Sequence, residues 1–244
     1  MKLWKSWVIA GKDFATFRTK RYIIYSLVVL PLFVSIGLPL VVSFVIQRGA
    51  APLPHIISVL NAFSFFFVIV AGVLPLSIGA YSIVGEKLEG TLEPLLATPT
   101  TDGEILFGKS LAAFVPTVVA IYAGSVIFMV LMDVVTSARL GYLFFPNWTL
   151  AVILLAIVPL ISILSTEFNV IVSARVSDIR AAQQLGALIL LPIGVIYVAL
   201  EVGFVSPTPA ILAAIIAIIL VIDVLLFSLS RATFRREEII TKWK

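Results

Sequence analysis

The sequence has 244 residues, of which 61% are hydrophobic and 12% are charged, and its mean hydropathy is +1.17. Soluble domains carry about 25% charged residues, so this composition excludes an ordinary soluble protein and predicts an integral membrane protein. The sequence contains no Cys and a single His, which excludes disulfides, thiolate metal sites, a Cys nucleophile and a histidine-clustered metal centre.

The first segment, 1–21, predicts an amphipathic helix that lies in the membrane interface. One face of this helix carries Trp4, Trp7, Val8, Gly11, Phe14 and Ala15, and the other carries Lys5, Lys12, Asp13, Thr16 and Lys20. Charges throughout the segment argue against a cleaved signal peptide. Its two Trp and two Phe residues favour an interfacial helix over a solvated basic tail.

Six apolar stretches follow, each long enough to span a bilayer as a helix. They cover residues 22–46, 56–84, 105–132, 148–174, 183–200 and 210–230. We therefore predict an all-α integral membrane protein with one transmembrane domain over 1–244. Its six-helix bundle fills 22–230, a basic tail fills 231–244, and no room remains for a soluble catalytic domain.

Basic residues are distributed unequally between the two ends of the predicted bundle. Of the 17 Lys and Arg residues, only Arg48 and Arg139 fall on one side. Because short cytoplasmic loops accumulate positive charge, we expect a multi-pass protein of the cell membrane with both termini in the cytoplasm. The basic excess suits anionic membrane lipid and requires no nucleic acid partner.

The connection between the second and third stretches is acidic and is punctuated by Gly and Pro. From Gly85 it reads GEKLEGTLEPLLATP. Thr91 can cap a short helix over 92–97, with Glu93 near its positive end and Pro94 in the tolerated first turn. A helix of about six residues is unstable alone, so we expect docking to hold it. Its leucines and glutamates favour a basic-rimmed groove on a partner over simple contact with lipid headgroups.

This connection, continued by ILFGK at 105–109, resembles the signature of the ABC-2 family of ATP-binding-cassette permeases. The six spans match that family's topology, and SARVSDIRAAQQ at 173–184 is a weaker similarity. Several family members have long outer segments after the fifth span, whereas 201–209 is short here, which argues against an elaborate external gate.

The resemblance implies an exporter's permease, in which segment 85–104 forms a coupling helix that binds a separate cytoplasmic ABC ATPase. It also implies a dimer, with a homodimer expected, in which two permeases pair with two ATPases. The ATPase would bind ATP and Mg, and this chain would hold no cofactor. The implied ATPase-contact residues are Glu86, Glu89, Gly90, Thr91, Leu92, Glu93, Leu95 and Leu96.

Gly103, Gly108, Lys109 and Ser110 match the phosphate-loop pattern GxxxxGK[ST]. Bulky residues fill the interval, however, and Thr101 and Glu104 have the spacing of a capping box that begins the third span. We therefore predict a regular helix without an ATP site, in a chain that is not itself an enzyme. Lys109 is expected to meet lipid phosphate or an acidic partner surface.

Two acids lie inside predicted spans, Glu167 in the fourth and Asp223 in the sixth. Each is about eight residues, or roughly 12 Å, from the cytoplasmic boundary. Intramembrane acids usually face a cavity or pair with another group, so Glu167, Asn169 and Asp223 are candidates for a translocation path. A structural role, with each acid protonated and hydrogen-bonded to a neighbour such as Asn169, stays equally open.

Three alternatives to an ATP-driven permease remain. A self-sufficient secondary transporter would use Glu167 and Asp223 as proton or sodium sites and would need no ATPase. For an intramembrane enzyme, the sequence offers no catalytic motif of His, Cys or paired carboxylates across adjacent helix faces. A membrane anchor for a complex would explain a docking helix but not the two intramembrane acids.

Overall fold

The structure is a computed structural model that describes residues 3–47, 53–201 and 208–233. These residues form helices and connections, with no strand among them. An N-terminal helix, Leu3–Phe17, precedes six spans, so the all-α membrane fold is confirmed. The spans, numbered one to six below, are Arg21–Gln47, Ile56–Leu88, Asp102–Leu140, Trp148–Arg175, Ile179–Ala199 and Pro209–Arg231. From residue 234 onward, the predicted basic tail lies outside the described residues.

Three spans are built from more than one helical piece. Span two lies within the helices Leu53–Ser64 and Phe66–Leu88. Span four comprises Trp148–Val152, a π-helical turn Ile153–Ile157 and Val158–Arg175. Span five lies within Ile179–Gly186, a 3-10 turn Ala187–Ile189 and Leu190–Glu201.

Two of these irregular turns precede a proline. A proline ring collides with the carbonyl four residues earlier and offers no N–H to it. For Pro159 that earlier residue is Leu155, inside the π-helical turn, and for Pro192 it is Leu188, inside the 3-10 turn. The helix therefore changes its hydrogen-bond spacing where the proline forces it to.

Spans two and four pack along each other at the centre of the bundle, joined by small and hydroxyl residues. Ser165 of span four donates to the Gly72 carbonyl at 2.6 Å. Ser173 donates to the Ala80 carbonyl at 2.9 Å and accepts from the Ile83 and Val84 amides. Such residues let membrane helices approach closely.

Asp133, near the far end of span three, is buried. Its carboxylate accepts from the backbone amides of Phe144 and Phe145 at 2.9 and 3.0 Å. The carboxylate thereby satisfies donors of the loop that follows the span.

Candidate functional site

The candidate site lies at the end of the bundle where the N-terminal helix meets segment 85–104. The start of span three is there, and Arg231 at the end of span six lies beside Gly103. We call this the basic end. Spans two and three both continue directly from segment 85–104, so any movement of that segment acts on both of them.

A glycine turn closes span two and starts the segment. Gly90 has φ +68, a left-handed conformation that costs other residues free energy. Its amide donates to the Lys87 carbonyl at 3.2 Å, and the Thr91 amide donates to the Glu86 carbonyl at 2.9 Å. This pair of bonds is a Schellman motif, which satisfies carbonyls that the helix end leaves free.

The predicted short helix is present as Leu92–Leu96. Leu92, Leu95 and Leu96 are all buried, and they pack in a cluster with residues of the N-terminal helix and of spans two, three and four. The chain itself therefore supplies the packing that we expected from a partner. These leucines hold the helix in place, and their side chains do not lie on the surface of the single chain.

Lys109 lies at the centre of the site and is 1% exposed. Its ammonium donates to Asp13 at 3.2 Å, to Glu86 at 3.1 Å and to the Ser82 carbonyl at 2.7 Å. The prediction that Lys109 meets lipid phosphate or a partner was wrong. A buried cation requires compensation inside the protein, and two carboxylates supply it.

Asp13 was also misplaced by the sequence pattern, which put it on the solvated face. It lies instead on the buried stripe of the N-terminal helix, against span three. Burial raises the pKa of its carboxyl, while the Lys109 ammonium acts in the opposite direction. On the other face Trp4, Trp7 and Val8 are exposed, as a helix in the membrane interface requires.

Glu86 connects three parts of the site. Its carboxylate accepts from Lys12 of the N-terminal helix at 2.8 Å and from Lys109 of span three at 3.1 Å. The Thr91 hydroxyl also donates to it. Thr91 was expected to cap the short helix, but its side chain makes no capping bond. Glu86 is buried, so it fixes the segment internally.

Tyr81, Gly85 and Glu89 form one stripe at four-residue intervals along span two. A Cβ on Gly85 would lie 2.5 Å from the Tyr81 ring, so only glycine leaves room for the ring. The Tyr81 hydroxyl donates to Glu89, and Lys20 donates to the same carboxylate at 2.6 Å. These hydrogen bonds lower the pKa of Glu89, and the bond to Glu89 raises the pKa of Lys20.

Two further lysines tie the segment to its surroundings. Lys87 is buried and donates to the carbonyls of Ala174 and Val176 at 3.1 Å each, where span four ends. A cation suits the negative end of a helix dipole. Lys5 of the N-terminal helix donates to the Pro99 carbonyl.

The outward face of the segment is the part that the rest of the chain leaves exposed. It comprises Gly90, Glu93, Pro94, Ala97, Thr98 and Pro99, all exposed. Of the eight predicted contact residues, Gly90 and Glu93 therefore lie on this face, and Glu89 lies at its edge. Glu86 and the three leucines lie beneath it, and Thr91 is half-buried.

The predicted path residues divide into two groups. Asn169 is fully buried between glycines: a Cβ on Gly79 would lie 2.6 Å from the Asn169 Cβ, and one on Gly186 would lie 1.9 Å from Asn169 Oδ1. Its amide donates to the Ser165 carbonyl at 2.8 Å. Glu167 and Asp223 are buried where spans four and six pack together.

The phosphate-loop pattern lies on regular helix, as predicted. Thr101 and Glu104 form the expected capping box at the start of Asp102–Leu140. Gly108 packs against the N-terminal helix, where a Cβ would lie 2.8 Å from the Ser6 carbonyl oxygen. The glycine and lysine of the pattern are thus explained by helix packing and by the buried ion pair.

The described geometry combines six apolar spans with an ion-paired acidic segment between the second and third. The family model described as ABC-2 family transporter protein matches residues 7–228. The chain belongs to the ABC-2 transporter family. It is therefore a multi-pass membrane protein and a transporter permease. No curated protein matches the sequence significantly.

Membership of the ABC-2 family agrees with the resemblance found in the sequence, but the sequence did not reveal the buried ion pairs. Asp13, Lys12 and Lys20 were not among the predicted site residues, yet each pairs with the segment or with Lys109. One signal was available. Lys109 lies within the predicted apolar stretch 105–132, and such a charge is normally paired.

Proposed function

We propose that this ABC-2 permease is the membrane subunit of an ATP-driven exporter, and that a separate ABC ATPase binds the outward face of segment 85–104. One observation carries the proposal: the segment is fixed on its inner side and exposed on its outer side. Four helices hold the inner side through leucine packing and ion pairs. Glu93 and Pro94 on the outer side are exposed.

Force on this face would be transmitted through packed and ion-paired contacts. Because Glu86 and Lys109 join the segment to the N-terminal helix and to span three, these elements would shift together. Energetic coupling between distant sites is carried by such packed and charged networks. In the proposed cycle, ATP-driven closure of two ATPases tilts the spans between inward-open and outward-open states.

The proposal fixes the arrangement of the complex. The basic end faces the cytoplasm of the cell, both termini are cytoplasmic, and two copies of the permease pair with two ATPases. ATP and Mg bind to the ATPases, and the permease contributes no hydrolytic group. The basic residues of the N-terminal helix support this orientation, since positive charge favours the cytoplasmic side.

Copurification from membranes of the source cell tests the ATPase contact. An ATPase with nucleotide-binding motifs should copurify with the wild type, and Glu93→Lys should release it because the charge on the outward face is reversed. Tyr142→Lys is the control, since Tyr142 is exposed in the loop after span three, away from the basic end. Leu95→Asp is unsuitable because Leu95 is buried.

The same preparation separates the proposal from a self-sufficient secondary transporter. The complex should hydrolyse Mg-ATP, and the permease alone should not. If Glu93→Lys retains the ATPase as the wild type does, the proposed contact is wrong. If no ATPase copurifies and the permease transports in liposomes with an ion gradient alone, the secondary transporter is correct.

A further inference from the structure

Two of the buried acids in the described residues differ from all the others. Asp13, Glu86, Glu104 and Asp133 each accept a hydrogen bond from a lysine, a hydroxyl or a backbone amide. Glu167 Oε2 and both carboxylate oxygens of Asp223 are buried without any hydrogen-bond partner. The two residues are 8% and 7% exposed. Among the described residues, the other buried acids thus have hydrogen-bond partners, and these three carboxyl oxygens have none.

The two carboxyl groups lie on spans that pack together. Spans four and six are in contact, and Glu167 and Asp223 both lie on the buried sides of these spans. A carboxylate placed in hydrocarbon is costly unless another group pairs with it. Two such acids on spans that pack together, without a counter-charge, are more costly still, because like charges repel. A positively charged ligand would remove both penalties.

The number and type of acceptors distinguish between cations. The described residues contain no group of three or more His, Cys, Asp or Glu side chains that could hold a metal ion. Divalent calcium takes about six to eight oxygen ligands, and this site offers two carboxyl groups. A primary ammonium has three N–H donors, and the buried unpartnered oxygens of Glu167 and Asp223 can accept from them.

We propose that Glu167 and Asp223 bind the primary ammonium group of an organic cargo whose remaining part is apolar. The apolar part would lie against the aliphatic residues of spans four and six, while the ammonium donates to the carboxylates. That the ligand is the transported cargo rests on the proposed export function. The binding site itself can be tested on the permease alone.

The test uses the full-length permease in lipid nanodiscs and tritiated phenylethylammonium as the probe, measured by equilibrium dialysis. The wild type should show saturable binding of about one probe per chain, and the neutral isostere phenylethanol should not compete. Glu167→Gln and Asp223→Asn should each weaken binding about tenfold or more, because each leaves part of the charge unpaired. Asp178→Asn should bind as the wild type does.

Asp178 is a matched control because it lies outside the proposed site and caps span five by accepting from the Ala181 amide at 3.0 Å. Asn caps a helix as well as Asp does, so this change removes one negative charge and retains the fold. Competition between phenylethanol and the labelled amine for the wild-type permease is a second measurement, and it needs no variant.

Four results would overturn the proposal: no saturable binding of the amine, equal competition by phenylethanol, unchanged binding in both acid variants, or binding of sodium ions alone at the two acids. The last result would identify an alkali-metal site. None of these results bears on the ATPase contact at Glu93, which is measured by copurification. Conversely, loss of that contact leaves the nanodisc measurement unaffected.

Discussion

The ammonium of Lys109 lies 3.2 Å from a carboxylate oxygen of Asp13, although the two residues are 96 positions apart in the sequence. Their side chains are 1% and 5% exposed. This buried ion pair fixes the N-terminal helix to span three, and Glu86 extends it to segment 85–104. The contact makes the N-terminal helix part of the proposed coupling unit.

Replacing Lys109 with Met should lower the free energy of unfolding by about 3–5 kcal/mol, because Asp13 and Glu86 lose their shared buried cation. Denaturant unfolding in mixed micelles, followed by Trp fluorescence, measures this change. Lys12→Met is the control: Lys12 pairs with the same Glu86, but its side chain is 45% exposed, so we expect a loss below about 1 kcal/mol. If the two variants lose the same free energy of unfolding, Lys109 is not the main stabilising cation of this cluster.

Gly108→Ala should displace the N-terminal helix. The added Cβ would lie 2.8 Å from the Ser6 carbonyl oxygen and 2.9 Å from the Ile9 Cβ, and overpacking of this kind costs about 1–3 kcal/mol. Limited proteolysis near residue 20 should become faster. Gly11→Ala is the matched control on the same helix pair, since nothing lies within 4 Å of its Cβ position. Identical cleavage rates would show that the close approach is unimportant.

Gly90→Ala should weaken the glycine turn and reduce copurification of the ATPase. The left-handed φ of +68 costs a residue with a Cβ about 1–2 kcal/mol. Gly90→Asn should have a smaller effect, because Asn tolerates this conformation. Gly37→Ala, in span one with open space around its Cβ position, should retain the ATPase. An Ala variant that behaves like the Asn variant would argue against a role for the turn.

The contact between Lys20 and Glu89 should weaken in acid. Hydrogen bonds from Lys20 and Tyr81 lower the pKa of Glu89 below its ordinary value of 4.5. As the pH falls, Glu89 therefore takes up a proton in the unfolded chain at a higher pH than in the folded chain. The contact's contribution to stability is fully present above pH 4.5 and is lost as the pH falls through the folded-state pKa of Glu89.

Glu89→Gln should lack this acid-dependent loss, which is below about 1 kcal/mol because both groups are partly exposed. Unfolding curves of the wild type and the Glu89→Gln variant at successive pH values below 4.5 measure the difference. Parallel curves for the two proteins would mean that Glu89 does not contribute.

Asn169→Leu should destabilise the bundle by about 1–3 kcal/mol, because the side chain is enclosed between Gly79 and Gly186. Thermal unfolding should show this loss in the permease alone. Asn61→Leu, which alters a half-buried Asn on span two, is the comparison. A variant with unchanged stability but impaired transport would instead support a role for Asn169 in the translocation path.

The spans and the capping box could be predicted because each depends on local sequence. About 20 consecutive apolar residues are sufficient to predict a span, and the spacing of Thr101 and Glu104 determines a helix start. The observed limits of spans one and four differ from those predicted by one residue or less at each end. Family resemblance in the GEKLEGTLEP stretch came from the same local pattern.

The inner and outer faces of segment 85–104 could not be predicted, because they depend on contacts between distant residues. A short helix with three leucines could pack on its own chain or on a partner, and only the position of the N-terminal helix decides between them. Asp13 was assigned to solvent because a helical pattern separates apolar from charged residues. Its ion pair with Lys109, 96 positions away, overrides that pattern.

Site-specific labelling of Glu93→Cys tests the central claim most directly, since the sequence contains no other Cys. A membrane-impermeant maleimide should label this variant in inside-out vesicles and not in intact cells. The purified ABC ATPase should then block the labelling, while Tyr142→Cys should be labelled equally with and without it. Labelling of Glu93→Cys from outside the cell, or labelling that the ATPase leaves unchanged, would contradict the account.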